Sequence, residues 1–341
     1  MSQTGLPAVL GGFQIETFDI HQKDDMKNSQ PSVSIVIASY TIKRLTELLE
    51  LITTLESQVC DLEIVFVVER DKLLVKSLLP RLRQSKLSSR VVFCKDRLGI
   101  SNARNIGTQK SSGQIIAFTD DDAALFPDWC EKLLAAFDKF PEVMGVTGKV
   151  IPGWPDPESK WFPLSLYWMI GCTAWKGNQQ QGLTNSVAGV NMAFRRTVFE
   201  RIRFADYFAD GEQEQGKRGL TNDDNEFVSR VLRAHGNCIM YIPELGVVHK
   251  VYPYKVSMRY VRRYSYWQGV AEAMFYGFGL GYSSGRPRRA EIFGIARDLL
   301  TPARSKKAQR IEALLNAVIF GILGVLSYRN IRIRKFIANR I

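Results

Sequence analysis

The sequence predicts an α/β fold: a mixed, mostly parallel sheet flanked by helices, with a helical extension at its C-terminal end. Three features predict it. Apolar, β-branched runs alternate with segments of helical apolar spacing from residue 32 to residue 151, and such β-α-β order requires a parallel sheet with crossover helices. The runs lack polar alternation, which marks strands buried on both faces. The fourth run, Ile115 to Thr119, ends in the carboxylates Asp120, Asp121 and Asp122, and the C-terminal strand ends of an open α/β sheet are where ligands bind.

Residues 1–31 are polar, with scattered Gly and Pro, and read as a loosely attached arm. Ser32 to Tyr40 is the first strand of the sheet, and Leu45, Leu48, Leu49, Ile52 and Leu55 follow at helical spacing. Leu62 to Val68 is a second strand, a helix runs from about Leu73 to Gln84, and Arg90 to Cys94 is a third strand. A turn at Leu98 to Gly107 enters a short helix before the strand that carries the carboxylates. Pro127 and Asp128 open the next helix, to Phe140, and Val143 to Ile151 is a further strand. Beyond it, Trp154, Trp161, Trp168 and Trp175 recur every seven residues. Two helical turns separate Trp161 from Trp168, so they could share a helix face as core packing or as a platform for a sugar ring or lipid.

Composition excludes a disordered chain: 45% of residues are hydrophobic and 23% charged. The net charge of +12 is uneven, because residues 286–341 hold 13 Lys/Arg against 3 Asp/Glu and leave only +2 for the rest. Five cysteines, odd in number and without Cys-x-x-Cys spacing, predict a reduced, cytoplasmic chain with neither zinc site nor disulfide framework. The N-terminal residues have no basic region followed by an apolar core, so no signal peptide is expected.

Several segments, in this order, resemble the family 2 glycosyltransferases over residues 32–270. Val33 to Thr41 is similar to the family's opening strand and Pro-Thr-Tyr-Asn turn, here Ala38-Ser39-Tyr40-Thr41. Gly99 to Gly107 matches Gly-x-x-x-Ala-Arg-Asn-x-Gly, Asp120 to Asp122 supplies an Asp-x-Asp motif, and Thr221 to Phe227 resembles the later acidic motif. The chain departs at Glu69-Arg70-Asp71, where the family has Asp-Asp-Gly-Ser.

The resemblance implies the nucleotide-sugar-binding GT-A fold and an inverting, metal-dependent sugar transfer from a nucleotide-diphospho-sugar. It implies Mn²⁺ or Mg²⁺ on Asp120 and Asp122, which can face one side because alternate residues of an extended chain do, with Asp121 left for the ribose. Ser39, Tyr40 and Glu69 then fall at the nucleotide. Arg104 carries a guanidinium fork suited to phosphate or carboxylate, and Asn105 a loop anchor or helix cap. Asn191, in the strand Gly189 to Arg196, is the donor-sugar contact. Asp223 and Asp224 open a helix, where acids also serve as caps; Asp224 is the expected base, with Asp223 and Glu226 its substitutes. His249 falls where some relatives add a metal or diphosphate ligand, and Arg263, with Arg262, Tyr264 and Trp267 to Gly269, on a helix that closes over the diphosphate or packs beneath it.

Ala313 to Tyr328 has no charged side chain and lies between basic runs. At 16 residues it is short for a span of about 20, so an interfacial or re-entrant helix held on anionic lipid is expected, at the cytoplasmic face of the cell membrane, with a core-covering helix and a solvated basic tail as the alternative. The expected domains are an arm (1–31), the transferase unit (32–270) and a basic helical extension (271–341). A glycan or lipid-linked acceptor fits this placement. Nucleotidyl transfer also uses carboxylates and metal, and a sequence pI of about 9.5 suits nucleic acid. The concentration of charge in one tail beside an apolar helix argues against a nucleic-acid partner.

Overall fold

The computed structural model describes residues 8–10, 12–20, 32–173, 180–206, 222–277, 298 and 307–328. In chain order the elements are β1 (Ala8–Leu10), β2 (Phe13–Ile20), β3 (Val33–Ser39), α1 (Leu45–Glu56), β4 (Leu62–Glu69), α2 (Lys72–Gln84), β5 (Ser88–Cys94), α3 (Gly99–Lys110), β6 (Ile115–Asp120), β7 (Ala123–Leu125), α4 (Trp129–Lys139), β8 (Gly145–Gly153), β9 (Gly182–Leu183), β10 (Met192–Arg195), α5 (Asp223–His235), β11 (Ile239–Lys250), α6 (Met258–Gly277) and α7 (Lys307–Tyr328). The sheet runs β1-β2-β5-β4-β3-β6-β10-β8-β11-β7, with β9 on β11. Strands β5, β4, β3 and β6 are mutually parallel, and β10 lies antiparallel between β6 and β8.

Successive side chains of a strand face opposite sides, and the central strands divide their apolar residues accordingly. Ile35, Ile37, Ile64, Phe66 and Ala117 pack with Leu48, Ile52, Leu78 and Leu133 of α1, α2 and α4. Val36, Val65, Val67, Ile116 and Phe118 pack with Ile106 of α3 and Phe227 and Val231 of α5. Full burial of side chains such as Leu48 and Ile52 is worth about 1.5–3 kcal/mol each. The glycine of the Ala-Arg-Asn-x-Gly segment has a packing reason: a Cβ on Gly107 would stand 2.2 Å from Val36 Cγ1, so α3 could not lie this close to β3.

Four expectations are corrected. The N-terminal arm is not loose throughout: β2 pairs antiparallel with β5 from Ile15↔Cys94 to Ile20↔Ser89, and Ile15 and Ile20 are buried. Cys60 and Cys130 form a disulfide, so the chain is not fully reduced; it ties the segment after α1 to the first turn of α4. Odd count and wide spacing could not reveal a pair 70 residues apart that only packing brings together. Trp161 and Trp168 share no helix face, because Pro163 separates two 3-10 turns, Pro157–Trp161 and Leu164–Ile170; Trp175 lies outside the described residues. Finally, α6 runs through residue 270, so the transferase unit and the extension share a helix.

Helices α6 and α7 lie side by side in the same direction, with Arg262 reaching Glu312 and Asn316 near their starts. Further along, glycines set the contact: a Cβ on Gly269 would meet Gly321 O at 2.1 Å, and one on Gly324 would meet Tyr266 O at 2.0 Å. This face of α7 is closed against α6, and Ala313 and Leu314 join the main core. The opposite face carries Leu315, Val318, Ile319, Ile322, Leu323 and Leu326 exposed, six of the eleven exposed large hydrophobics among the described residues. By length and composition α7 could cross a membrane.

Candidate active site

The carboxylates that end β6 stay together because β7 resumes pairing at once. Strand β11 runs antiparallel to β7, with His249 opposite Ala123 and Lys250 N donating to Asp122 O at 3.0 Å. That register carries a residue 127 positions distant to the side of Asp122. His249 Nε2 lies 3.2 Å from Asp122 Oδ1 and 4.0 Å from Asp120 Oδ2. Its Nδ1 lies 3.0 Å from Ile170 O, a carbonyl that can only accept, so Nδ1 carries a proton and Nε2 is the ring nitrogen turned to the carboxylates. Gly171, with φ +73°, turns the chain so that this carbonyl meets the ring.

One donor atom each from Asp120, Asp122 and His249 lies within 4.8 Å of the others. Two hard carboxylate oxygens with an imidazole suit Mn²⁺ or Mg²⁺. The residues present therefore fit a divalent ion.

Each acid of the triplet has its own environment. Asp120 is the most open, and burial still raises it, offset by His249 and Arg104. Asp121 accepts from Ser39 Oγ at 2.6 Å; burial, then the charge of Asp122, pushes it up to about 7. Burial would also raise Asp122, but His249, Lys255 and Arg44 together hold it below the usual carboxylate range. Arg44, just after the turn that follows β3, places Nη1 3.2 Å from Asp122 Oδ2 and its guanidinium 4.2 Å from the ring centre of Tyr252. Sequence reasoning passed over Arg44 and Lys255; their only local signals are a cation five residues past Ser39 and another six past His249.

The second acidic group stands on the first turn of α5. Asn222 enters it in a left-handed conformation, φ +72°, and Phe204 stacks on Phe227 at 4.2 Å to seat the helix. Asn105 is a loop anchor, donating to Phe204 O at 2.8 Å and accepting from Phe204 N at 2.9 Å. Arg104, buried, pairs with Asp223 Oδ2 and lies 3.9 Å from Asp120 Oδ1. Asp224 accepts from Gly189 N at 2.9 Å through Oδ2 and from Asn225 N at 2.8 Å through Oδ1. Burial first, then the adjacent Asp223, raise its carboxyl to about 6.

Two expected donor contacts, Asn191 and Glu69, and the substitute base Glu226 have partners within the fold. Asn191 is fully buried: it accepts from Trp129 Nε1 at 2.9 Å and donates to Leu245 O at 2.8 Å and Lys149 O at 3.2 Å, so it ties its own segment to α4, β8 and β11. Glu69 is buried and caps α3, Oε2 accepting from Leu98 N at 2.6 Å and Gly99 N at 2.9 Å. Glu226, buried, forms a two-pronged pair with Arg230. Tyr40 stands exposed beside Ser39, and Arg263 half-buried on α6.

A model of glycosyl transferase family 2 matches residues 34–203. The glucosyl-dolichyl phosphate glucuronosyltransferase of Haloferax volcanii is 26% identical over 244 residues, which cover 70% of this chain and 76% of that protein. The mannosyltransferase PcManGT from Pyrobaculum calidifontis, solved in complex with GDP-Man and Mn²⁺, superposes with a TM-score of 0.52 at 16% identity, covering 92% of this chain and 80% of that one. The fold is GT-A, and both matches are sugar transferases. The matched segment runs from β3 through Arg104 and the carboxylate triplet to just past β10, with Asp223, Asp224 and His249 beyond it, and the chain belongs to glycosyl transferase family 2.

Proposed function

We propose that this glycosyltransferase is metal-dependent and inverting, and that it moves a sugar from a nucleotide-diphospho-sugar to a hydroxyl of a lipid-linked or polysaccharide acceptor. One observation carries the reading: Arg104 lies between Asp120 of the candidate metal group and Asp223, the neighbour of Asp224. The two acidic groups therefore face one space, as a direct displacement needs. Asp224, oriented by Gly189 N and Asn225 N, takes the acceptor's proton as its oxygen bonds to the anomeric carbon. The bond to the diphosphate breaks on the opposite side, so configuration inverts, and Arg104 meets the departing charge. Asp120, Asp122 and His249 would hold a divalent ion, which would supply Lewis-acid charge to the leaving oxygens. Asp121, fixed by Ser39, is placed for the ribose.

The exposed apolar stripe of α7 and its basic flanks support peripheral attachment to anionic lipid at the inner face of the cell membrane. The Haloferax relative is named for a dolichyl phosphate-linked acceptor, which favours a lipid-linked one here. The Cys60–Cys130 bond removes the cysteine count as support for a cytoplasmic site, so that placement rests on the Lys/Arg excess around α7. Thermal shift against nucleotide sugars with Mn²⁺ and Mg²⁺, followed by product analysis, tests the reading. Release of a nucleoside diphosphate is expected; release of pyrophosphate would replace it with nucleotidyl transfer.

A further inference from the structure

The side chain of Asn225, one residue past the proposed base, is 9% exposed and reaches in two directions. On one side lies the loop before β10, where Val187 N donates to Asn225 Oδ1 at 3.1 Å. On the other lies Asp224, whose Oδ1 accepts from Asn225 Nδ2 at 3.0 Å. The amide fits only one way round. An N–H faces Oδ1, whereas the Asp224 carboxylate and Val187 O, the latter at 3.5 Å, are acceptors and require the NH₂ end. Val187 is a firm anchor. The next residue, Ala188, accepts from Asn191 N at 2.8 Å, and Thr147 Oγ1 of β8 donates to Asn191 O at 2.7 Å and accepts from Ala188 N at 3.4 Å.

A carboxylate offers about four lone-pair sites. Asn225 fills both sites of Asp224 Oδ1, with its backbone N–H at 2.8 Å and its side-chain amide, and Gly189 N fills one site of Oδ2 at 2.9 Å. Among the described residues, the remaining site is therefore on Oδ2. We propose that Asn225 is the positioning residue of the base: anchored by Val187, its amide holds Asp224 Oδ1 and leaves Oδ2 to take the acceptor's proton. The inference rests on the reading of Asp224 as base. As the acceptor's O–H bond breaks, its proton goes to Oδ2 and its electron pair forms the bond to the anomeric carbon, while the bond to the diphosphate breaks with its pair on the leaving oxygen. The charges that act most on Asp224 are Asp223 on its own helix, which opposes ionisation, and Arg104 on α3, which favours it. A neutral amide adds a donor to the ionised form without adding charge to that balance.

The test uses the full chain with Asn225→Asp, which keeps an acceptor for Val187 N and replaces the donor toward Asp224 by a second acceptor, and with Asn225→Ser should the first fail to fold. Melting curves from pH 4 to pH 8, each with and without Asp224→Asn, read where the Asp224 carboxyl titrates without need of a substrate. The pH at which the Asp224→Asn difference changes, expected near 6 in wild type, should rise by about one pH unit in N225D and by less in N225S. Turnover is read at pH 8 as nucleoside diphosphate released from UDP-glucose and GDP-mannose with Mn²⁺, water serving as acceptor. A displaced base should lower kcat about 10–100-fold and leave the donor's KM within about twofold, and N225D should cost nothing further on top of Asp224→Asn. An unmoved titration step in both variants, or a kcat loss that persists in full beside Asp224→Asn, would make Asn225 a structural residue only and overturn the proposal. If neither nucleotide sugar is turned over, the titration step decides alone. Wild-type turnover in Asp224→Asn would overturn the base reading and this inference together; a slow Asp224→Asn beside a normal N225D would overturn this inference alone.

Discussion

Arg104 pairs with Asp223, joining the helix that leads into β6 to the helix that opens with the second acidic group. Because the same guanidinium lies 3.9 Å from Asp120, one buried cation sets the spacing of the two halves of the site.

Asp122→Ala is expected to abolish the Mn²⁺-dependent part of nucleotide binding with little change in fold. Its side chain contacts Arg44 and His249 and belongs to the proposed metal group, and the backbone bond from Lys250 N to Asp122 O remains. Nucleotide titration with and without Mn²⁺ checks this; retained metal enhancement would remove Asp122 from the ligand set.

Asp224→Asn is expected to bind donor as wild type does and to transfer about 10²–10⁴ times more slowly, the usual effect of losing a general base. Loss of a helix cap instead costs about 0.5–2 kcal/mol of stability and leaves the folded fraction active. Turnover per folded molecule, measured beside the melting temperature, separates them. Normal turnover would move the search to Asp223.

The raised Asp224 carboxyl has two pH consequences. As a base it must be ionised, so transfer should fall as pH drops through about 6. Stability runs the other way: the folded pKa lies above the ordinary value of 3.8, so the stabilising contribution is full below that value and is lost as pH rises through about 6. Asp224→Asn should therefore lose least relative to wild type near pH 7 and most near pH 4. Paired melting curves at both pH values decide it, and a constant difference would place the carboxyl's titration elsewhere.

Ile319→Glu with Ile322→Glu is expected to abolish flotation with anionic vesicles while leaving transfer to a soluble acceptor intact, because both side chains are exposed on α7 away from α6. Deleting the helix is a poorer test, since Ala313, Leu314 and Gly324 are packed within the fold. Undiminished flotation would place the membrane contact outside this stripe.

Reduction of Cys60–Cys130 is expected to lower stability by about 2–4 kcal/mol, as for disulfides that close long loops. The bond and Gln58, which accepts from Cys130 N at 2.9 Å and donates to Phe126 O at 3.0 Å, both hold the start of α4. Denaturant melts with and without reductant, compared with Cys60→Ser, measure it. An unchanged midpoint on reduction would mean that the fold alone holds α4.

The strand and helix order from β3 to β8, apart from the short β7, the buried character of β3, β4 and β6, and the carboxylates at a strand's C-terminal end were legible in the sequence. Each follows from side-chain period, turn residues and local charge, which act over a few neighbours. What the sequence left open depended on contacts between distant segments. His249 reaches Asp122 only through the β7–β11 register, and Cys60 reaches Cys130 only because α1 and α4 cover the same face of the sheet. Asn191 and Glu69 sit where motif position suggests a ligand, yet the packed fold offers them buried backbone amides, carbonyls and an indole N–H to satisfy. The cost of leaving such groups unpaired is invisible in a linear pattern. Arg44 and Lys255 were overlooked for the complementary reason: a cation in a sequence carries no mark of which carboxylate it will face, and only the closed sheet edge, with its two acidic groups drawn together out of water, decides that.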